Sequence, residues 1–110
     1  MKLPNREKAY VPRAKLSDYL LSETHPVGRL KSRFFRSVGF NEANMDFLEQ
    51  QLLSLAHSQE VKGISESPYG RKFIIEGNLQ NPVGLQVPVC TVWVLETEDT
   101  RPRLVTAYPA

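Results

Sequence analysis

The feature that most constrains this chain is a change of hydrophobic period near Glu60. Before it, apolar residues recur at helical spacing. After it, they alternate. The clearest helical stretch carries Met45, Leu48, Leu52, Leu55 and Ala56, with a period of about 3.6. Asn41 is a suitable N-cap and Glu42 an acid in the first turn, where the helix dipole favours one. The helix is expected to end near His57, a residue that suits its negative end. A second helix is predicted over 27–38, stopped by Gly39, and a short first one over 13–21, opened by Pro12 and carrying Leu16, Tyr19 and Leu20. Residues 1–11 read as polar and irregular.

Beyond Glu60, strands are expected over 61–67, 71–78, 85–97 and 103–108. Ser67-Pro-Tyr-Gly and Asn81-Pro-Val-Gly are turn sequences between them. Pro88 suggests a bulge, or a late start to pairing, in the third strand. The whole predicts one α+β domain over 1–110: about three N-terminal helices packed on a C-terminal four-stranded antiparallel meander, with helices two and three covering one sheet face.

On helix two, Arg29, Arg33 and Arg36 fall at i, i+4 and i+7 and predict a solvated basic stripe. Leu30, Phe34, Phe35 and Val38 predict the core side. Lys31 lies between the two phenylalanines, so it must snorkel outward or sit at the mouth of a pocket. In the last hairpin, pairing Leu95 with Leu104 sets Trp93 opposite Thr106 and Thr91 opposite Tyr108. That register puts Thr91, Trp93, Thr106 and Tyr108 on one face, which suits either a phosphate and a stacked base or a plain solvated surface.

Charge is uneven. Residues 1–36 hold nine Lys or Arg against three acids, and residues 37–110 hold five against nine. The basic first third fits an anionic partner such as nucleic acid, or attraction between the two ends of the fold. No run of 18 apolar residues exists to span a membrane, and the N-terminus has no apolar export core. With Cys90 as the single cysteine, a reducing cytoplasm is the expected location. No glycine-rich phosphate loop, nucleophile elbow or metal-ligand spacing appears, so neither cofactor nor metal is expected.

What remains is His25, Lys31, the arginines and the hydroxyl face. That set suits metal-independent RNA cleavage, in which a ribose 2′-OH attacks the adjacent phosphorus. Histidine can move the proton, and lysine or hydroxyl groups can stabilise the phosphorane. A histidine before proline serves equally well as a turn residue, so the residues alone leave both readings open.

Tyr10-Val-Pro-Arg, His25-Pro-Val-Gly, Lys31-x-x-Phe-Phe, Ser67-Pro-Tyr-Gly, Thr91-Val-Trp and Arg103-Leu-Val-Thr-Ala-Tyr-Pro together resemble a bacterial family of uncharacterised small domains. Its members occur alone and at the C-termini of polymorphic toxins. Helices followed by a sheet that ends in Thr-Ala-Tyr-Pro more distantly resemble the barnase–EndoU–colicin–RelE ribonuclease superfamily. The resemblance implies a toxin-like endoribonuclease without a metal. His25 would be the acid or base, Lys31, Thr91 and Thr106 would contact the phosphate, and Tyr108 would orient the substrate. From the residues themselves, Arg29, Arg33 and Arg36 suit flanking phosphates and Trp93 suits a stacked base, so these four are expected to bind nucleic acid. A cognate antitoxin or immunity protein would be the partner. The competing expectation is a non-catalytic module that binds nucleic acid or protein in a toxin–antitoxin or phage-related system.

Overall fold

A computed structural model describes residues 1–26 and 29–110. Val27 and Gly28, the expected start of helix two, lie outside the described residues. Helix α1 (Arg13–Lys15) runs directly into a π-helical turn (Leu16–Leu20). Helix α2 spans Arg29–Ser37 and α3 spans Met45–Ser58. The strands are β1 (Gly63–Ser67), β2 (Gly70–Gln80), β3 (Gln86–Glu96) and β4 (Arg103–Pro109), antiparallel in the order β1-β2-β3-β4. The α+β meander expected from the change of period is the observed fold.

Local chemistry sets the boundaries. Asn41 accepts from the Ala43 amide at 2.8 Å, and its own amide donates to Asn44 Oδ1 at 2.9 Å, closing a capping box ahead of α3. Gly39 ends α2 at φ 106°. Asn81 does more than form a turn. Its Oδ1 accepts from Val83 and Leu85, while its Nδ2 donates to the Val38 carbonyl at 2.9 Å, tying the β2–β3 loop to the end of α2.

The helices cover one face of the sheet, with α3 over β2 and with α1 and α2 against β4. Leu48, Leu52, Leu55 and Ala56 of α3 are buried against Phe73, Ile75 and Leu79 of β2. Gly77 permits this approach, because a Cβ there would lie 2.6 Å from Leu55 Cδ2. Residues 1–11 are not an irregular polar lead. Leu3 and Val11 are in the core, the Val61 amide donates to the Met1 carbonyl at 2.7 Å, and Tyr10 pairs in parallel with Arg103 at the edge of β4.

Three further expectations need correction. Pro88 neither bulges nor delays β3: it pairs with Asn78 in an unbroken β2–β3 ladder. The irregularity lies on the other side, where Val92 pairs with Thr106 but Trp93 pairs with Leu104, leaving Val105 as the extra residue. Thr91 and Trp93 point inward with their buried β2 partners Ile75 and Phe73, and the shift sets Ala107 and Leu104 opposite them in place of Tyr108 and Thr106. Both are fully buried, so neither lies on an open face. Leu30 is the third correction. It is 65% exposed, and the covered side of α2 is formed by Ser32 and Phe35 instead.

Candidate active site

Three polar residues of the N-terminal half, Lys15, His25 and Lys31, converge on Tyr19. Its position follows from the fold: Leu16 and Leu20 are fully buried, and the π-helical turn between them leaves the Tyr19 ring half-buried at the margin of the core. Its hydroxyl reaches β4, 3.3 Å from Thr106 Oγ1. The His25 ring meets the Tyr19 ring edge-on, with centroids 5.0 Å apart and planes at 81°. Lys15 Nζ lies 4.7 Å from the ring centroid and Lys31 Nζ lies 5.4 Å from it.

Tyr19, His25 and Lys15 line a cleft of about 380 Å³ with Pro12, Ala14, Asp18 and Arg103, and Lys31 and Thr106 reach it through the Tyr19 ring and hydroxyl. The groups around the ring set the proton affinity of the phenol. Burial pushes the Tyr19 hydroxyl up, but hydrogen bonding by Thr106 and Lys31 and the positive charges of Lys31 and Lys15 outweigh it. The net effect holds Tyr19 below the ordinary tyrosine value. A phenol so placed ionises, and gives up a proton, more readily than one in water.

The segment carrying His25 is fixed from two sides. Ser22 Oγ accepts from the amides of Thr24 and His25, at 3.3 and 3.1 Å. Arg36 reaches across from α2 and donates to the Leu21 carbonyl at 2.6 Å through Nη2 and at 3.2 Å through Nε. The same guanidinium pairs with Glu23 at 3.2 Å and with both carboxylate oxygens of Glu42. The hydrogen bond to Glu42 holds Arg36 above its ordinary value and Glu42 below the usual carboxylate range.

His25, Lys31 and Thr106, named from sequence, are thus brought together, each through Tyr19. The other named groups lie elsewhere. Thr91 Oγ1 donates to the Ile75 carbonyl at 2.8 Å and accepts from Trp93 Nε1 at 2.9 Å, a closed buried pair. Tyr108 stands opposite Cys90 on the sheet face away from the helices, with its hydroxyl 3.2 Å from the thiol. Its proton is held more tightly than usual, first by that contact and also by the charge of Glu76. Arg29 and Arg33 are exposed on α2, whereas Arg36 leaves the expected basic stripe to join the structural network above.

Tyr19, Lys15 and Arg103 are site residues that sequence reasoning missed. The available signal was Lys15 four residues before Tyr19, which places an ammonium beside an aromatic ring on one helical face. Among the described residues, no three of His, Cys, Asp and Glu group to hold a metal, and no helix is long and apolar enough to cross a membrane.

Residues 2–110 match the model of a family described as a domain of unknown function, DUF6883. The chain belongs to the DUF6883 family. No curated protein is significantly similar to it in sequence. Among solved structures, this DUF6883 domain is similar to a chain of a contact-dependent growth inhibition toxin–immunity protein complex from Klebsiella pneumoniae 342. The two share 17% identity over 97% of each chain, with a TM-score of 0.72. At that identity the likeness is one of fold. The Tyr19 cluster is what this DUF6883 chain itself offers as chemistry.

Proposed function

We propose that this DUF6883 chain is a toxin-like domain that cleaves RNA without a metal, and that the cluster around Tyr19 is its active site. The observation that carries this reading is the meeting of His25, Lys31 and Thr106 on one half-buried ring that lines a cleft. His25 takes the proton of a ribose 2′-OH as that oxygen attacks the adjacent phosphorus. Lys31 stabilises the charge that builds on the phosphorane oxygens, and the Thr106 hydroxyl holds the Tyr19 hydroxyl in place. Arg29 and Arg33, exposed on the helix that carries Lys31, hold flanking phosphates.

Similarity in fold to a chain from a toxin–immunity complex supports the toxin-like part of the reading. That complex contains both a toxin and its antidote, and a cleft bearing His, Lys and Tyr fits the toxin half. The partner is then an immunity protein or antitoxin, and the place of action is the cytoplasm, where RNA is found.

The test is incubation of the purified chain with total RNA in the presence of a chelator. Cleavage that disappears in His25→Ala is the expected result, together with growth arrest on expression that the same substitution relieves. Intact RNA and unimpaired growth with the wild type would refute it. One observation favours a second reading, a non-catalytic binding module: Leu30 is exposed between Arg29 and Lys31, as in a protein-docking surface. That reading expects salt-sensitive association with no product formed.

A further inference from the structure

Cleavage by 2′-OH attack needs two proton movements, and His25 accounts for one. The second proton must reach the 5′-oxygen as its bond to phosphorus breaks. The donor must line the same cleft as His25, stand beside it, and release its proton to a surrounding that welcomes the resulting anion.

We propose that Tyr19 is the catalytic acid that protonates the leaving 5′-oxygen. This rests on the ribonuclease reading above. The ring of Tyr19 shares the cleft with His25, and the 5.0 Å edge-on contact sets the two as neighbours. In-line attack puts the entering and leaving oxygens on opposite sides of phosphorus, so the base and the acid must be two separate groups that flank one phosphate, and His25 and Tyr19 are separate groups on the wall of one cleft. Lys15 and Lys31 both lie within 5.4 Å of the ring centroid, and Thr106 lies against the hydroxyl. Each favours the phenolate that proton donation leaves behind, which agrees with the lowered proton affinity of Tyr19.

The step balances. The O2′–P bond forms as His25 takes the 2′ proton. The P–O5′ bond breaks, its electron pair goes to O5′, and that oxygen takes the Tyr19 proton. The products are a 2′,3′-cyclic phosphate and a free 5′-hydroxyl. Water then returns a proton from His25 to Tyr19.

Tyr19→Phe tests the assignment, because it keeps the ring and every contact made by its carbons. The cleavage position is first mapped, and an RNA is then made with sulfur in place of the bridging 5′-oxygen at that position. A thiolate leaves without protonation. Tyr19→Phe should cleave ordinary RNA about 10²- to 10⁴-fold more slowly than the wild type. On the sulfur-bridged RNA it should approach the wild-type rate, while His25→Ala should remain slow on both. A Tyr19→Phe protein equally slow on both substrates would make Tyr19 a positioning or binding residue and overturn the proposal. So would one that cleaves ordinary RNA at full rate, and in either case the ribonuclease reading stands. A wild type that cleaves no RNA overturns both.

Discussion

The hydroxyls of Tyr19 and Thr106 lie 3.3 Å apart, joining the π-helical turn after α1 to the last strand across 87 residues of sequence. Thr106 stands next to the bulge that leaves Val105 unpaired. Thr106→Val removes the contact and keeps the shape. It should cost about 1 kcal/mol of stability, read from the denaturant midpoint. Cleavage should fall by more than that destabilisation explains, since the phenol then lacks a hydroxyl that helps to lower its proton affinity. Unchanged cleavage would show that Thr106 only fastens β4 to the helix.

The pH dependence follows from the same surroundings. Tyr19 is held below the ordinary phenol value, so an acid role requires activity to fall as pH rises through its value, and to do so earlier than for a phenol in water. Lys15 contributes to the lowering by its charge. Lys15→Gln should therefore move the alkaline limb of the rate profile to higher pH. A limb that stays in place, or moves down, would separate Tyr19 from the titration that controls activity.

Much of the fold is legible in the sequence because it rests on period. Met45 to Ala56 keep the helical repeat, and the strands beyond Glu60 are separated by turn sequences that the structure uses. In the first turn, Gly70 adopts φ 146°, and a Cβ there would collide with the Leu95 carbonyl. The site is half legible. His25 and Lys31 carry chemistry on their face, but Tyr19 reads as a core aromatic because Leu16, Tyr19 and Leu20 share helical spacing. The π-helical turn changes where that ring points, and nothing in the residue types announces it. The last hairpin misleads for a related reason. Val105, Thr106 and Ala107 are all compatible with either sheet face, so pattern does not show that Val105 is skipped. Leu30 shows the limit of a helical wheel: the covered side of α2 includes Ser32, which is 1% exposed, while a leucine faces out.

Arg36 holds the segment leading to His25 through the Leu21 carbonyl and Glu23. Lysine can supply the charge but not the fork. Arg36→Lys should therefore cost about 2 kcal/mol and slow cleavage, with His25 less well placed. Glu42 adds a pH dependence. Its value is held low, first by the hydrogen bond from Arg36, so its contribution is present above the ordinary carboxylate range and is lost as pH falls through its lowered value. Melting temperatures measured from neutral to acid pH should converge for the wild type and Glu42→Gln at the acid end and separate at neutral pH. A constant gap would remove this pair from the acid response.

Thr91 should behave as a structural residue. Its hydroxyl bridges the buried Trp93 indole and the Ile75 carbonyl. Thr91→Val leaves the indole N–H without an acceptor and should cost about 1–3 kcal/mol. Cleavage per folded molecule should stay at the wild-type level. A specific drop in activity at full stability would return Thr91 to the site.

Arg29 and Arg33 are exposed on α2, and Arg36 is committed to carbonyl and carboxylate partners, so the three arginines should separate experimentally. Arg29→Glu with Arg33→Glu should leave the melting temperature nearly unchanged, because exposed charges contribute little to stability. It should weaken RNA binding uniformly across sequences and reduce the salt dependence, since a phosphate that no arginine neutralises keeps its condensed counterion. Arg36→Glu, by contrast, sets a carboxylate against Glu23 and Glu42 and should destabilise the fold itself. Binding isotherms at several salt concentrations, set beside thermal melts, distinguish the two effects. A double reversal at Arg29 and Arg33 that leaves the salt slope intact would move the phosphate contacts off α2.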